Sequence, residues 1–155
     1  MTDRDDFIAT LNDLIEVSRD GEEGFRASAE NVDHPQLKAF FMRRSQEVAA
    51  SVQELQGLVR SQGGEPAAST SLGGALHRHW IDLKTALTSN NTLSVLNETE
   101  RGEDVALKAY QEAAEMDLPT HIRTVVVRQL EGAKRNHDEV KKLRDAAQAE
   151  ADAHS

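Results

Sequence analysis

The chain has 155 residues, no cysteine and a formal net charge of -9 at neutral pH, with 38% hydrophobic and 29% charged residues. That length suits one domain with a single core. The acidic balance excludes the basic face that a nucleic-acid partner needs and opposes attachment to anionic membranes. Without cysteine there are no disulfides, thiolate metal sites, iron–sulfur clusters or cysteine nucleophiles. No segment approaches the roughly 20 apolar residues of a membrane span, and the acidic start MTDRDDFIATLND lacks the apolar run of a secretory leader. The expected location is the cytoplasm, without nucleic-acid partner or membrane insertion.

Aromatic residues are only 4%, so the core must be built mainly from Leu, Val and Ala, as in helix bundles. A first helix is expected over residues 2–32, with Thr2 as a candidate N-cap and Asp3, Asp5 and Asp6 in the turn that the helix dipole makes favourable for acids. Its apolar stripe runs Phe7, Leu11, Leu14, then loses its large residues at Ser18 and Gly21 before resuming at Phe25 and Ala29. Gly21 and Gly24 each cost about 1 kcal/mol against alanine in a helix, so close packing or room for a neighbour is the expected return. Asp33 or His34 closes the turn that follows, and Pro35 opens a second helix over residues 35–62, where a missing N–H does no harm. That helix places Leu37, Phe41, Arg44, Val48, Ser51, Leu55 and Leu58 on one stripe, and Gly63-Gly64-Glu65-Pro66 ends it.

A Ser/Thr/Gly-rich connection then leads into a shorter helix expected over residues 72–87, broken by Asn90-Asn91. The third long helix is expected over residues 91–116, with Leu93, Leu96, Glu100, Glu103, Leu107, Tyr110 and Ala114 on its stripe. After the turn Asp117-Leu118-Pro119-Thr120, in which Thr120 is the expected cap, a fourth long helix runs over residues 120–150 with Ile122, Val126, Leu130, Ala133, His137 and Val140 inward. No strand pattern is present. The expected architecture is all-α: a single domain over residues 1–155, a four-helix bundle in which the long connection lets helices two and three run parallel. An up-down-up-down bundle with a helical insertion is the alternative.

Polar residues break all four long stripes near mid-helix: Ser18, Arg44 with Ser51, Glu100 with Glu103, and His137. Charged groups seldom occupy a buried face unless paired or metal-bound, so these residues define an expected interior layer. One way to satisfy it is a structural network, with Arg44 paired to Glu100 or Glu103 and His137 donating to one of them. The other is a metal site with Glu103, Glu100 and His137 as ligands, a donor set suited to iron, manganese or zinc.

The segments DGEEGF (Asp20–Phe25), HRHW (His77–Trp80), ERGED (Glu100–Asp104) with Tyr110, and RNHDEV (Arg135–Val140) resemble, in order and spacing, an uncharacterised bacterial family of ferritin-like proteins, domain of unknown function 2383. The resemblance implies a ferritin-like four-helix bundle. The wider ferritin-like pattern has one Glu on its first and third helices and Glu-x-x-His on its second and fourth. Laid on this chain without gaps, it falls on Ser18, on Val48 and Ser51, on Glu103, and on Lys134 and His137. Only Glu103 and His137 keep the expected residue type, while Lys134 and Arg44 add positive charge, so a standard di-iron centre is not expected.

Two functions therefore compete. The first is a non-catalytic, self-associating (dimeric) cytoplasmic bundle without cofactor, to which the family resemblance adds a stress-related or accessory role. The second is a protein holding one zinc or iron ion on Glu103 and His137, completed by Glu100 or Glu23. His77 and His79 point roughly 200° apart on a helix, which suits surface or packing roles, and Trp80 is expected to anchor the crossover helix. Asp20, Glu22 and Glu23 read as a solvated patch, and His34 and His121 as caps or surface residues. Phosphate loops, nucleophile elbows and triad spacings are absent, so hydrolase chemistry has no support.

Overall fold

A computed structural model describes residues 3–67, 74–89 and 91–154, with backbone alone for 74–80. Expectations on Thr2, Leu72 and Asn90, and on the side chains of His77, His79 and Trp80, lie outside the described residues. Within them the chain is all helical: α1 Arg4–Asn31, α2 Pro35–Ser61, α3 Gly74–Ser89, α4 Thr92–Ala114 and α5 Thr120–Ala153.

The helix ends follow local chemistry. Asp3 is the N-cap of α1, accepting from the Asp6 amide at 3.0 Å, while the Asp6 carboxylate reaches back to the Asp3 amide to form a capping box. Pro35 begins α2 behind His34, whose side chain makes no cap bond. At the other end of α2, the Gly63 amide donates to the Arg60 carbonyl and the Gly64 amide to the Val59 carbonyl, the paired bonds of a Schellman stop. Gly63 has φ +79°, which favours glycine, and a Cβ on Gly64 would come within 2.8 Å of the Ile8 side chain and force it to shift. Asn91 caps α4 by accepting from the Ser94 amide. Thr120 is not the cap of α5. It is the first helical residue, its carbonyl accepts from the Thr124 hydroxyl, and Pro119 holds the cap position by backbone shape.

Cross-helix contacts fix the directions. Thr10 meets Met116 and Ser18 meets Tyr110, so α1 and α4 are antiparallel. Arg43–Glu139, Glu54–Arg128 and Gln62–His121 make α2 antiparallel to α5. Tyr110–Gln129 and Arg144–Glu100 do the same for α4 and α5, and the short turn after Asn31 folds α2 back on α1. It follows that α2 and α4 run in the same sense, and α3 lies in the connection between them, packed on α4 and α1. The tight pairings are α1 with α2, α4 with α5 and α1 with α4, whereas α2 and α5 are held mainly by side chains.

The interior is divided. One apolar cluster gathers Leu11, Leu14, Ile15, Leu55, Val59, Ile122 and Val126 at one end. A second gathers Phe25, Phe41, Leu37, Leu83, Val95 and Leu96 at the other, where α3 joins. Val48 touches both, and the polar residues lie at its level.

Candidate functional site

Arg44 is 6% exposed and Glu103 5% exposed. Each sits on the apolar stripe of its own helix, and they meet across the bundle diagonal, Arg44 Nη2 donating to Glu103 Oε1 at 3.2 Å. Nη1 of Arg44 donates to Glu47 at 2.9 Å, and the guanidinium lies over the Phe25 ring, 5.0 Å from its centroid. Flat guanidinium on an aromatic face with two carboxylates at its edge is an arrangement that lysine could not reproduce. Burial pushes the Glu103 carboxyl above its ordinary range and outweighs the pull of Arg44 in the opposite direction.

Beside this pair runs a second chain of polar groups. The Tyr110 hydroxyl donates to Gln129 Oε1 at 2.7 Å and lies 3.3 Å from Ser18 Oγ; because Tyr110 gives its proton to Gln129, Ser18 is the donor. Gln129 Nε2 donates to Glu54 at 2.9 Å and to the Ser51 carbonyl at 3.4 Å. Glu54 also receives Arg128, whose hydrogen bond holds its carboxyl below the ordinary range. Burial raises the Tyr110 phenol, which keeps it a donor. The series Ser18–Tyr110–Gln129–Glu54 thus touches α1, α4, α5 and α2 in turn.

Apart from Glu54, these groups line a cavity of about 350 Å³ at mid-bundle. Small residues create it: Gly21 and Gly24 of α1, Gly102 of α4 and Gly132 of α5 all face it. A Cβ built on Gly21 meets no atom within 4 Å, so the glycine expected to give either close packing or room gives room. Leu83 of α3 closes one side. The exposed residues of the lining are Glu47 of α2 and Arg128 and Arg135 of α5.

Of the residues singled out in the sequence, Ser18, Arg44, Ser51 and Glu103 line this cavity. Glu100 does not: it pairs with Arg144 at 2.5 Å and faces a separate polar cleft among α3, α4 and α5. His137 Nε2 bonds Asp104 across the α4–α5 edge. Glu23 and Lys134 are exposed, whereas Asp20 is partly buried at the cavity wall, unlike the solvated patch expected for it. Among the described residues no group of three or more His, Asp or Glu side chains is placed to hold a metal ion. Glu103, Glu100 and His137 each face a different protein partner, and this arrangement does not fit a shared ion.

Sequence reasoning missed Gln129, Ser28 and Thr99. Gln129 carried a usable signal, since it lies three residues after Val126 and one before Leu130 on a buried helix face. Ser28 and Thr99 carried less, because a small hydroxyl on a helix can satisfy itself on the preceding turn, as Thr99 does on the Val95 carbonyl.

The helical chain with an occupied polar centre falls within a known class of sequences. Residues 6–116, spanning α1 to α4, match the family described as domain of unknown function (DUF2383), and the chain belongs to that family. No curated protein matches it. No described helix is long and apolar enough to cross a membrane.

Proposed function

We propose that the chain is a non-catalytic, ferritin-like four-helix bundle in which an interior ion pair takes the place of a metal centre. The parallel course of α2 and α4, joined through α3, supports the ferritin-like topology. The observation that carries the functional reading is the Arg44–Glu103 pair. The one carboxylate on the third long helix that the ferritin-like pattern would assign to metal is engaged by a guanidinium, and a cation there repels a second cation. Cytoplasmic residence, self-association as a dimer and an accessory, stress-related role complete the proposal.

Metal analysis tests it. Protein exposed to iron(II) or zinc(II) and then desalted is expected to retain no stoichiometric metal. One equivalent of zinc or iron in the parent protein, lost in both Glu103→Ala and His137→Ala, would overturn the reading in favour of a single-ion site at Glu103, His137 and Glu100. Sedimentation over a range of concentrations checks the dimer, and a monomer throughout would remove that part.

A further inference from the structure

Among the described residues, Arg44, Arg128 and Arg135 are the cations that line the mid-bundle cavity. Arg44 is engaged by Glu103 and Glu47, and Arg128 by Glu54. Arg135 makes no hydrogen bond or ion pair with any described residue. On the acidic side of the lining, Glu47 and Glu103 are held by Arg44, and Asp20 has a partner of its own. Pairing within the lining therefore leaves one charge over among the described residues, and it is positive. Arg135 is exposed, and its Nη2 stands 3.6 Å from where a Cβ would lie on Gly132, itself a lining residue one turn earlier on α5. The missing side chain at Gly132 lets this guanidinium fold back over the helix while it stays open to solvent.

The space it borders suits a hydrocarbon body. Val17, Phe25, Val48, Leu83, Ala106 and Ala133 supply apolar lining. Inner polar groups bond one another, Arg44 with Glu103 and Ser18 with Tyr110 and Gln129, so an apolar occupant leaves those bonds intact. An apolar cavity of about 150 Å³ holds benzene, and ligand pockets begin near 300 Å³. At about 350 Å³ this cavity has room for roughly ten carbon atoms.

We propose that the cavity binds an amphipathic monocarboxylate, a straight-chain aliphatic acid of about eight to ten carbons, with its carboxylate on Arg135 and its chain among the apolar lining. A guanidinium offers a carboxylate two parallel N–H donors, which neither a neutral nor a cationic head group can use in the same way. The proposal is independent of whether the chain binds metal, so a failed metal test leaves it standing and its own failure leaves the metal reading untouched.

Octanoate is the probe, with octanol and octylammonium as comparisons, and the readouts are melting temperature and ligand-detected NMR. Octanoate at millimolar concentration is expected to raise the melting temperature of the parent protein and to bind more tightly than either comparison. Arg135→Gln removes a charge that has no partner in the protein, so the ligand-free melting temperature should stay unchanged. Octanoate affinity should fall about threefold to tenfold in that variant, and its advantage over octanol should disappear. Gly132→Leu raises helix propensity and fills the space beside the guanidinium, so it is expected to fold and to lose octanoate binding. An unresponsive parent protein, or octanoate affinity unchanged in Arg135→Gln, would overturn the proposal. Octanol or octylammonium binding as tightly as octanoate would overturn the carboxylate class, and undiminished binding in Gly132→Leu would overturn the site. Should Gly132→Leu misfold, the Arg135→Gln comparison decides alone.

Discussion

The end of the bundle built on Leu11, Leu14, Leu55 and Ile122 and the layer built on Arg44, Glu103 and Tyr110 use the same four long helices, yet they are stabilised differently. At the apolar end, side chains from all four helices are almost completely buried against one another and nothing needs to be paired. In the middle, glycines withdraw side-chain volume, and the space is bordered by groups whose stability depends on meeting a particular partner. The contrast separates two sources of order. Packing at the end tolerates any apolar residue of suitable volume, whereas the middle admits few substitutes because each polar group carries the cost of its neighbour's loss.

The sharpest way to expose that difference is Arg44→Met. It keeps much of the apolar volume but strands Glu103, and denaturant unfolding near neutral pH should show a loss of about 3–5 kcal/mol. Pairing it with Glu103→Leu should return most of that loss. The pH dependence carries a sign. Because the folded protein holds the Glu103 proton more tightly than the unfolded chain does, the native state binds more protons between the ordinary carboxylate value of 4.5 and the raised one, and stability contributed by this group falls as pH rises through that window. Glu103→Gln cannot ionise and should remove that segment of the curve. An unchanged curve would mean that Glu103 is not the group responsible.

Leu55→Ala at the apolar end should cost about 3 kcal/mol through lost burial and a new cavity, with no change in pH profile. If its cost moved with pH, the two regions would not be independent. The smallest effect is expected from Tyr110→Phe. It removes one hydroxyl between Ser18 and Gln129 and should cost about 1 kcal/mol, detectable as a shift in the denaturation midpoint at constant slope.

Much of the frame was legible in the sequence because helix ends depend on nearby residues. Pro35, Gly63 with Gly64, and Asn91 each act within one turn, and the structure uses them where the sequence places them. The inward position of Arg44 was legible from its stripe, and its pairing with Glu103 was one of two partners open to it. Glu100 and His137 were harder. Residues three apart on a helix differ by about 60° in direction, and that rotation sends Glu100 to Arg144 while Glu103 enters the centre. A stripe of third and fourth residues cannot resolve it. The cavity was hidden for another reason: it arises where missing side chains on three helices coincide, and their relative heights are set only when the helices pack.

The four long helices form two antiparallel hairpins, α1 with α2 and α4 with α5, and most bonds of the polar layer cross the seam between them, Ser18–Tyr110, Arg44–Glu103 and Gln129–Glu54, with the exposed Arg43–Glu139 pair at the surface of the same seam. Sliding one hairpin past the other by a helical turn, about 5.4 Å, would still set aliphatic residues against aliphatic residues at both ends. It would separate every one of those four pairs. The layer therefore acts on assembly as a key acts in a lock: oily surfaces alone would accept several alignments of the halves, and the buried charges and hydroxyls turn in only one.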